Sequence, residues 1–268
     1  MEEALAPLFD SHAHYNDRRF EEEFEGGGRG ALLRAHEEGV SMICNVGSSV
    51  GTSEESIRLA EEFPFVIAAA GIHPCDAQEI PAHGTDRALA RIEELCAHEK
   101  VRAVGEIGFD YHYDGTDRER QTYFFEAQME IARRLDLPVI VHSRDAAGDT
   151  FDLIARHPEN RGVLHSYSGH AEGARQYNRM GWYVSFAGPV TYKNAAKVKE
   201  SAAAAEESML LIETDCPYLP PVPHRGEINY SGYLTHTCAA VAGVRGLTYA
   251  HTAALTYANA LRFFGLDL

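Results

Sequence analysis

Short apolar runs recur along the chain and alternate with amphipathic stretches of helical length. Runs such as 66–70 and 139–141 are continuously apolar, which is typical of strands buried on both faces in a parallel sheet. The predicted strands cover residues 8–12, 40–46, 65–72, 101–107, 138–142, 162–165, 182–186 and 209–214. Apolar residues recur at helical spacing over residues 30–38, 52–63, 86–98, 117–135, 145–156, 192–205, 234–244 and 248–264.

Eight strands that alternate with helices favour a (β/α)8 TIM barrel, an α/β fold that commonly occupies ~250 residues as one domain. We predict a single domain over residues 1–268, since no repeat, linker or composition break divides the chain. A doubly wound sheet is the structural alternative, and it requires a glycine-rich turn after the first strand. That turn contains His12 and His14 instead, and the glycines at 26–28 lack the spacing of a phosphate-binding loop.

Histidines and carboxylates stand at the carboxyl ends of five predicted strands. They are His12 and His14, Glu106, His142, His165 and Asp215. An extended strand directs His12 and His14 to one face, about 7 Å apart at ~3.3 Å per residue. Because the carboxyl ends of parallel barrel strands share one face, we predict that these six side chains form a metal centre of a metal-dependent hydrolase.

The donor set of four imidazoles and two carboxylates suits Zn²⁺, Mn²⁺, Fe²⁺ or Co²⁺, whereas Mg²⁺ selects imidazole less readily. Six ligands exceed what one catalytic zinc with an open position uses, so we predict two divalent metal ions. Glu106 is the candidate bridge between them. Two ions that share a carboxylate at ~3.5–4 Å are suited to clamp both oxygens of a displacement reaction.

Composition and charge narrow the function classes. The net charge of -16 argues against broad binding along a nucleic-acid backbone, so an anionic substrate would need a local positive site. Five widely spaced cysteines without a C-x-x-C pair indicate free thiols in a reducing cytoplasm. We expect no membrane span and no secretory signal, since long apolar runs are absent and residues 1–7 lack a basic, apolar leader.

Short motifs, taken in order along the chain, resemble those of TatD-type metal-dependent deoxyribonucleases. They are His12-x-His14, Gly71-Ile72-His73-Pro74, Gly105-Glu106-Ile107-Gly108-Phe109-Asp110, His142-Ser143-Arg144, His165-Ser166-Tyr167-Ser168-Gly169, Glu213-Thr214-Asp215-Cys216-Pro217-Tyr218 and Arg225-Gly226-x-x-Asn229. The resemblance covers about residues 8–263. It implies a TIM barrel of the amidohydrolase type and hydrolysis of phosphodiester bonds at DNA ends, with 3′–5′ exonuclease polarity.

The resemblance also implies roles for the candidate ligands. The implied ligands are His12, His14 and Asp215 for one ion and His142 and His165 for the other, with Glu106 between the two. Asp215 would also be the base that deprotonates the attacking water. Asp215 and Glu106 are therefore the predicted catalytic residues.

Three further side chains are candidates for binding the phosphate oxygens of a substrate. His73 and Arg144 lie just past predicted strand ends, and the guanidinium of Arg225 can form two parallel hydrogen bonds with a phosphate. Each has an alternative interpretation. His73 would pack within a loop, Arg144 would pair with Asp145 or Asp149, and Arg225 would form a surface ion pair.

We therefore expect a metal-dependent deoxyribonuclease that acts on DNA ends or short oligonucleotides, without an obligate protein partner. A small-molecule hydrolase of amides, esters or lactones is the alternative function. Many such enzymes use a carboxylated lysine on strand four, where this chain has Glu106, which favours the nuclease. A third class is a non-catalytic barrel that binds a partner through its metal site. Glu227, in the loop of Arg225, stands where the family frequently has lysine.

Overall fold

The computed structural model describes residues 7–267, and within them eight strands alternate with eleven α-helices. The strands are β1 (Leu8–Ala13), β2 (Val40–Val46), β3 (Val66–Ala70), β4 (Val101–Asp110), β5 (Val139–Arg144), β6 (Gly162–Leu164), β7 (Tyr183–Phe186) and β8 (Leu210–Ile212). The helices are α1 (Arg19–Glu23), α2 (Gly27–Glu37), α3 (Val50–Glu62), α4 (Pro74–Glu79), α5 (Thr85–Cys96), α6 (Arg118–Leu135), α7 (Ala147–Arg156), α8 (Ala171–Arg179), α9 (Ala196–Ala204), α10 (Leu234–Arg245) and α11 (Tyr249–Phe264). Short 3-10 turns lie at Ala82–Gly84, Gly188–Thr191, Glu207–Met209 and Ser231–Tyr233.

The order of the strands identifies the fold class. They follow one another in a single sheet from β1 to β8, and the pairs β3–β4, β4–β5, β5–β6 and β7–β8 are parallel. A doubly wound sheet would reverse its strand order at a switch point, so that alternative is wrong. The alternation of parallel strands and helices confirms the (β/α)8 TIM barrel.

All eight predicted strands are present, with ends that differ by up to three residues. The largest extension is in β4, which continues to Asp110 because its ladder with β5 runs as far as Asp110 opposite Arg144. Three helices were not predicted, namely α1, α4 and α8. Helix α8 buries only Ala174, Tyr177 and Asn178, so its apolar pattern is too weak to stand out in the sequence.

Contacts divide the chain into two compact units. The first unit comprises residues 1–44 and 166–268, and its core includes Phe9 stacked on Phe264 at 5.4 Å between ring centroids. The second unit comprises residues 45–165 and packs Phe109 edge-on against Phe125 at 5.2 Å. The single domain inferred from the sequence stays a prediction.

Two sequence expectations concern the environment of the protein. Within residues 7–267, no helix combines the length and the apolar character needed to cross a bilayer. All five cysteines are free thiols, and four of them are buried. The cytoplasmic location stays a prediction, and the leader segment lies largely in residues 1–6, outside the described residues.

Candidate metal centre

In the first unit, the two histidines of the N-terminal motif converge with a carboxylate. His12 is the penultimate residue of β1 and is fully buried, and His14 follows that strand. Their Nε2 atoms lie 3.0 Å apart. Asp215 Oδ1 lies 3.8 Å from His12 Nε2 and 3.5 Å from His14 Nε2. The structure therefore brings these three predicted ligands, which we call the first ligand set, to one point.

Backbone pairing between the ends of β1 and β8 holds the first ligand set in register. The amide of Asp215 donates to the carbonyl of His12 at 2.9 Å, and the amide of His14 donates to the carbonyl of Cys216 at 2.8 Å. Asp215 also adopts a left-handed backbone with φ of 56°, which aspartate tolerates better than most residues. Residues more than two hundred positions apart in the sequence are thus aligned by main-chain hydrogen bonds, which also place their side chains.

Asp10 links the carboxyl ends of β1 and β8 through hydrogen bonds. Its buried carboxylate accepts hydrogen bonds from the Thr214 amide at 2.9 Å, the Thr214 hydroxyl at 2.5 Å and the Ser231 hydroxyl at 2.6 Å. Burial raises the pKa of Asp10 to about 7, against the effect of these hydrogen bonds. Asp10 therefore joins β1, the end of β8 and the turn at Ser231.

The side-chain amide of Asn229 fixes the loop after β8. Asn229 is fully buried, and its Nδ2 donates to the carbonyls of Thr214 at 2.9 Å and Tyr218 at 2.7 Å. The side chain thus spans the residues that flank Asp215. Asn229, the last residue of the Arg225 motif, acts here as a structural pin for the first ligand set.

In the second unit, one carboxylate oxygen faces three imidazoles. Glu106 Oε1 lies 2.8 Å from His142 Nδ1, 2.7 Å from His165 Nε2 and 3.7 Å from His73 Nε2. His142 Nδ1 and His165 Nε2 are 3.1 Å apart. Glu106 is the sixth of the ten residues of β4, His142 lies in the paired strand β5, and His165 directly follows β6. Glu106, His142 and His165 form the second ligand set.

Asp110 orients the ring of His142, a role that the sequence did not predict. Its Oδ2 lies 3.3 Å from His142 Nε2, so His142 donates the Nε2 proton and keeps the Nδ1 lone pair for a ligand. Burial raises the pKa of Asp110, but hydrogen bonds from His142 and the His112 amide outweigh it and lower the pKa to about 2. The available signal was spacing, since residues 106 and 110 share one face of a strand.

Gly108 permits this close approach between β4 and β5. It lies between Glu106 and Asp110 on the same face of β4, with φ of +139°. A Cβ at this position would lie 2.0 Å from the carbonyl oxygen of His142. Only glycine therefore lets His142 come within reach of both carboxylates.

His73 lies beside the second ligand set and caps a helix. Its Nδ1 accepts from the amide of Cys75 at 3.2 Å, where it caps α4. Burial lowers the pKa of His73 to about 3, so its ring is neutral and the remaining proton lies on Nε2. That nitrogen lies 3.7 Å from Glu106 Oε1, and His73, Asp110 and His142 also place ligand atoms close enough together to hold one ion.

Arg144 and Arg225 both lie at the surface, and neither forms an ion pair within residues 7–267. The guanidinium of Arg144 lies 5.7 Å from the ring centroid of Tyr113. The suggested pairing with Asp145 or Asp149 is wrong, since Asp145 contacts His112 at 3.0 Å and Asp149 accepts from the Tyr111 hydroxyl at 2.8 Å.

Arg225 borders a cavity of the first unit. Its guanidinium lies 4.1 Å from the centroid of the Tyr192 ring, so the suggested surface ion pair is wrong among the described residues. The cavity has a volume of about 320 Å³ and is lined by Tyr192, Lys193, Asn194, Ala195, Val222 and Arg225. Two cationic side chains and no carboxylate line it, so this surface suits an anionic group despite the negative net charge.

Glu213 is a second carboxylate whose role the sequence did not reveal. It is buried, its Oε1 accepts from the Ser166 amide at 2.8 Å, and its Oε2 accepts from the Ser185 hydroxyl. Ser166 adopts a left-handed backbone with φ of 43°. Glu213 therefore stabilises the turn that begins at Ser166.

The donor chemistry of both sets fits divalent cations. The second set places two buried carboxylates, Glu106 and Asp110, beside histidines that bind metals in their neutral form. Buried negative charge of this kind is normally compensated by a cation. The separations of the imidazole nitrogens, 3.0 and 3.1 Å, are short enough for two nitrogens to bind one ion.

Comparisons with known proteins agree with this chemistry. The model of a protein family described as TatD related DNase matches residues 9–265. The uncharacterized metal-dependent hydrolase YabD of Bacillus subtilis strain 168 is 38% identical over 262 residues, covering 97% of this chain and 100% of the relative. The uncharacterized metal-dependent hydrolase YcfH of Escherichia coli K12 is 32% identical over 262 residues, covering 97% and 96%. The crystal structure of YJJV, a TatD homolog from Escherichia coli K12, has a TM-score of 0.89 at 27% identity, covering 97% and 98%.

Proposed function

The chain belongs to the family of TatD-related DNases, and from that premise we propose that it hydrolyses phosphodiester bonds at the 3′ ends of DNA. It is a metal-dependent hydrolase of this family. The observation that supports phosphodiester chemistry is the carboxylate of Glu106, whose Oε1 lies within 2.8 Å of two imidazole nitrogens. Small-molecule hydrolases of the same fold often place a carboxylated lysine there.

Two divalent ions are part of the proposal, one on each ligand set. The first set (His12, His14 and Asp215) and the second set (Glu106, His142 and His165) offer nitrogen and oxygen ligands that suit Zn²⁺, Mn²⁺, Fe²⁺ or Co²⁺ better than Mg²⁺. Bound divalent ions of this kind act as Lewis acids toward phosphoryl oxygens and lower the pKa of water. The bridging role of Glu106 stays a prediction.

The chain's own residues then move the proton and orient the phosphate. Asp215 is partly accessible, with 14% of its side chain exposed, and takes the proton of the attacking water. His73 donates its Nε2–H toward a phosphate oxygen. Arg144 and Arg225 supply positive charge at the surface and bind further phosphates of a single strand.

The experiment combines metal analysis of the purified protein with a nuclease assay in that metal. Single-stranded oligonucleotides labelled at either end report which end is shortened. Asp215→Asn should lower the rate ~10²–10⁴-fold, the usual contribution of a general base, while Asp152→Asn in α7 should leave it unchanged. A rate retained in Asp215→Asn would remove Asp215 from this role, and release from the 5′ end would overturn the polarity.

A small-molecule hydrolase is the second candidate, and one observation favours it. Glu227 adds negative charge to the loop of Arg225, where its carboxylate accepts from the Tyr233 hydroxyl at 2.6 Å. On a chain with a net charge of -16, a loop with glutamate at this position is less suited to a long polyanion than a loop with lysine. Metal-dependent turnover of esters or lactones without nucleotide release would establish this function in place of the nuclease.

A further inference from the structure

A third pair of imidazoles lies outside both ligand sets. His224 Nε2 and His236 Nε2 are 3.2 Å apart in the first unit. Two nitrogens that bind one ion at ~2.05 Å with a near-tetrahedral angle lie about 3.3 Å apart. The spacing of this pair also matches the 3.0 and 3.1 Å found within the two ligand sets.

The ring of His224 is held with its Nε2 lone pair available. Its Nδ1 lies 3.0 Å from Glu227 Oε2, so it donates its proton to that carboxylate. The Tyr233 ring stacks on the imidazole at 3.7 Å and 8°, and the Tyr233 hydroxyl donates to Glu227 at 2.6 Å. A carboxylate on the far nitrogen of a histidine is the usual support for a metal ligand.

The pair joins two separate segments of the chain. His224 lies in a turn where its amide donates to the Pro221 carbonyl at 2.7 Å, and His236 lies in the first turn of α10. Both rings are partly exposed, so an ion from solvent has access. Burial and the neighbouring His224 lower the pKa of His236, which favours the neutral form that binds metals.

We propose that His224 and His236 bind a third divalent transition-metal ion of the Zn²⁺ type, with Glu227 as a positioning residue and water in the remaining positions. This site is independent of the proposed nuclease activity. A bound ion would tie the turn that carries Arg225 to α10. Two imidazole ligands favour Cu²⁺ and Zn²⁺ over Mg²⁺ and Ca²⁺.

The test counts Zn²⁺ ions per chain. Protein stripped with a chelator is dialysed against a series of buffered free Zn²⁺ concentrations, and bound zinc is measured by elemental analysis. Wild type should bind one equivalent more than His236→Gln or His224→Gln. His251→Gln, which removes an exposed histidine of α11, should bind as much as wild type. Glu227→Gln should keep the equivalent but bind it ~10-fold more weakly or worse.

A second measurement separates a metal site from a plain hydrogen bond between the rings. In ¹⁵N-histidine spectra, Zn²⁺ should shift the Nε2 signals of His224 and His236 together, and the same signals should stay in place in Glu227→Gln at low zinc. Equal zinc stoichiometry in His236→Gln and wild type, or unmoved Nε2 signals at saturating zinc, would overturn the proposal. Circular dichroism of each metal-free variant checks that it folds. If a histidine variant does not fold, the zinc affinity of Glu227→Gln, which alters only an exposed side chain, decides the test.

Discussion

Replacing Asp110 with asparagine isolates the charge that orients His142. Asparagine keeps an oxygen that can accept from the His112 amide, which Asp110 Oδ1 now does at 2.9 Å. The change therefore removes the negative charge beside His142 Nε2, 3.3 Å away, and places an amide NH2 donor there in place of an acceptor. A hydrogen bond to a charged group contributes about 1.5–3 kcal/mol, so metal affinity at the second ligand set should fall about 10- to 100-fold.

In the assay, the protein competes for metal with a chelator of known affinity, and the metal bound per chain is measured. Asp110→Asn should lower affinity without lowering the number of ions at saturation, because the ligands themselves remain. Asp145→Asn, which alters an exposed carboxylate that contacts His112 at 3.0 Å, is the matched control and should match wild type. An affinity of Asp110→Asn within twofold of wild type would refute the orienting role.

Three further results are expected. Gly108→Ala should disrupt folding or metal binding, since its Cβ would lie 2.0 Å from the His142 carbonyl oxygen. Gly148→Ala, where a Cβ has open space, should do neither, and soluble yield and bound metal measure the two effects. Asn229→Ala should lower the free energy of unfolding by about 1–3 kcal/mol, because the carbonyls of Thr214 and Tyr218 lose their hydrogen bonds from Nδ2. Exposed Asn194→Ala is the control in denaturant titration. Burial lowers the pKa of His142, but its carboxylate neighbours outweigh burial and raise the pKa above 6.5. In metal-free protein, protonated His142 should therefore stabilise the fold below pH 6.5, and this contribution should be lost as pH rises through the raised pKa. Metal affinity should rise over the same range. The free energies of unfolding of wild type and His142→Gln across that range show whether protonation stabilises the fold.

The sequence predicted the strands and the fold class because each buried strand is a continuous apolar run. The candidate ligands were also visible, since His142, His165 and Asp215 directly follow or end such runs. Polar residues at those positions have few structural reasons to be there. Local pattern was therefore sufficient for the eight strands and for the candidate ligands. Their division into two ligand sets was implied only by the family resemblance, and α1, α4 and α8 were missed.

The supporting residues were not visible because their roles depend on contacts distant in sequence. Asp110 matters through a histidine 32 positions later, and Asp10 binds Thr214, 204 positions later. Asn229 was visible only as the last residue of the Arg225 motif, whereas its side-chain amide donates to two backbone carbonyls. A residue type alone does not distinguish a ligand from its support, and only the geometry does.

The net charge of -16 does not describe the local charge at every arginine. Arginines on the helices are largely neutralised by neighbouring carboxylates, as Arg133 is by Glu130 at 2.6 Å. Arg144 and Arg225 each lie over a tyrosine ring and form no direct ion pair among the described residues, although the charge of Arg144 contributes to the lowered pKa of Asp110. An aromatic face orients a guanidinium without cancelling its charge. The net charge describes the chain as a whole, whereas an anion would bind where local positive charge of this kind is available.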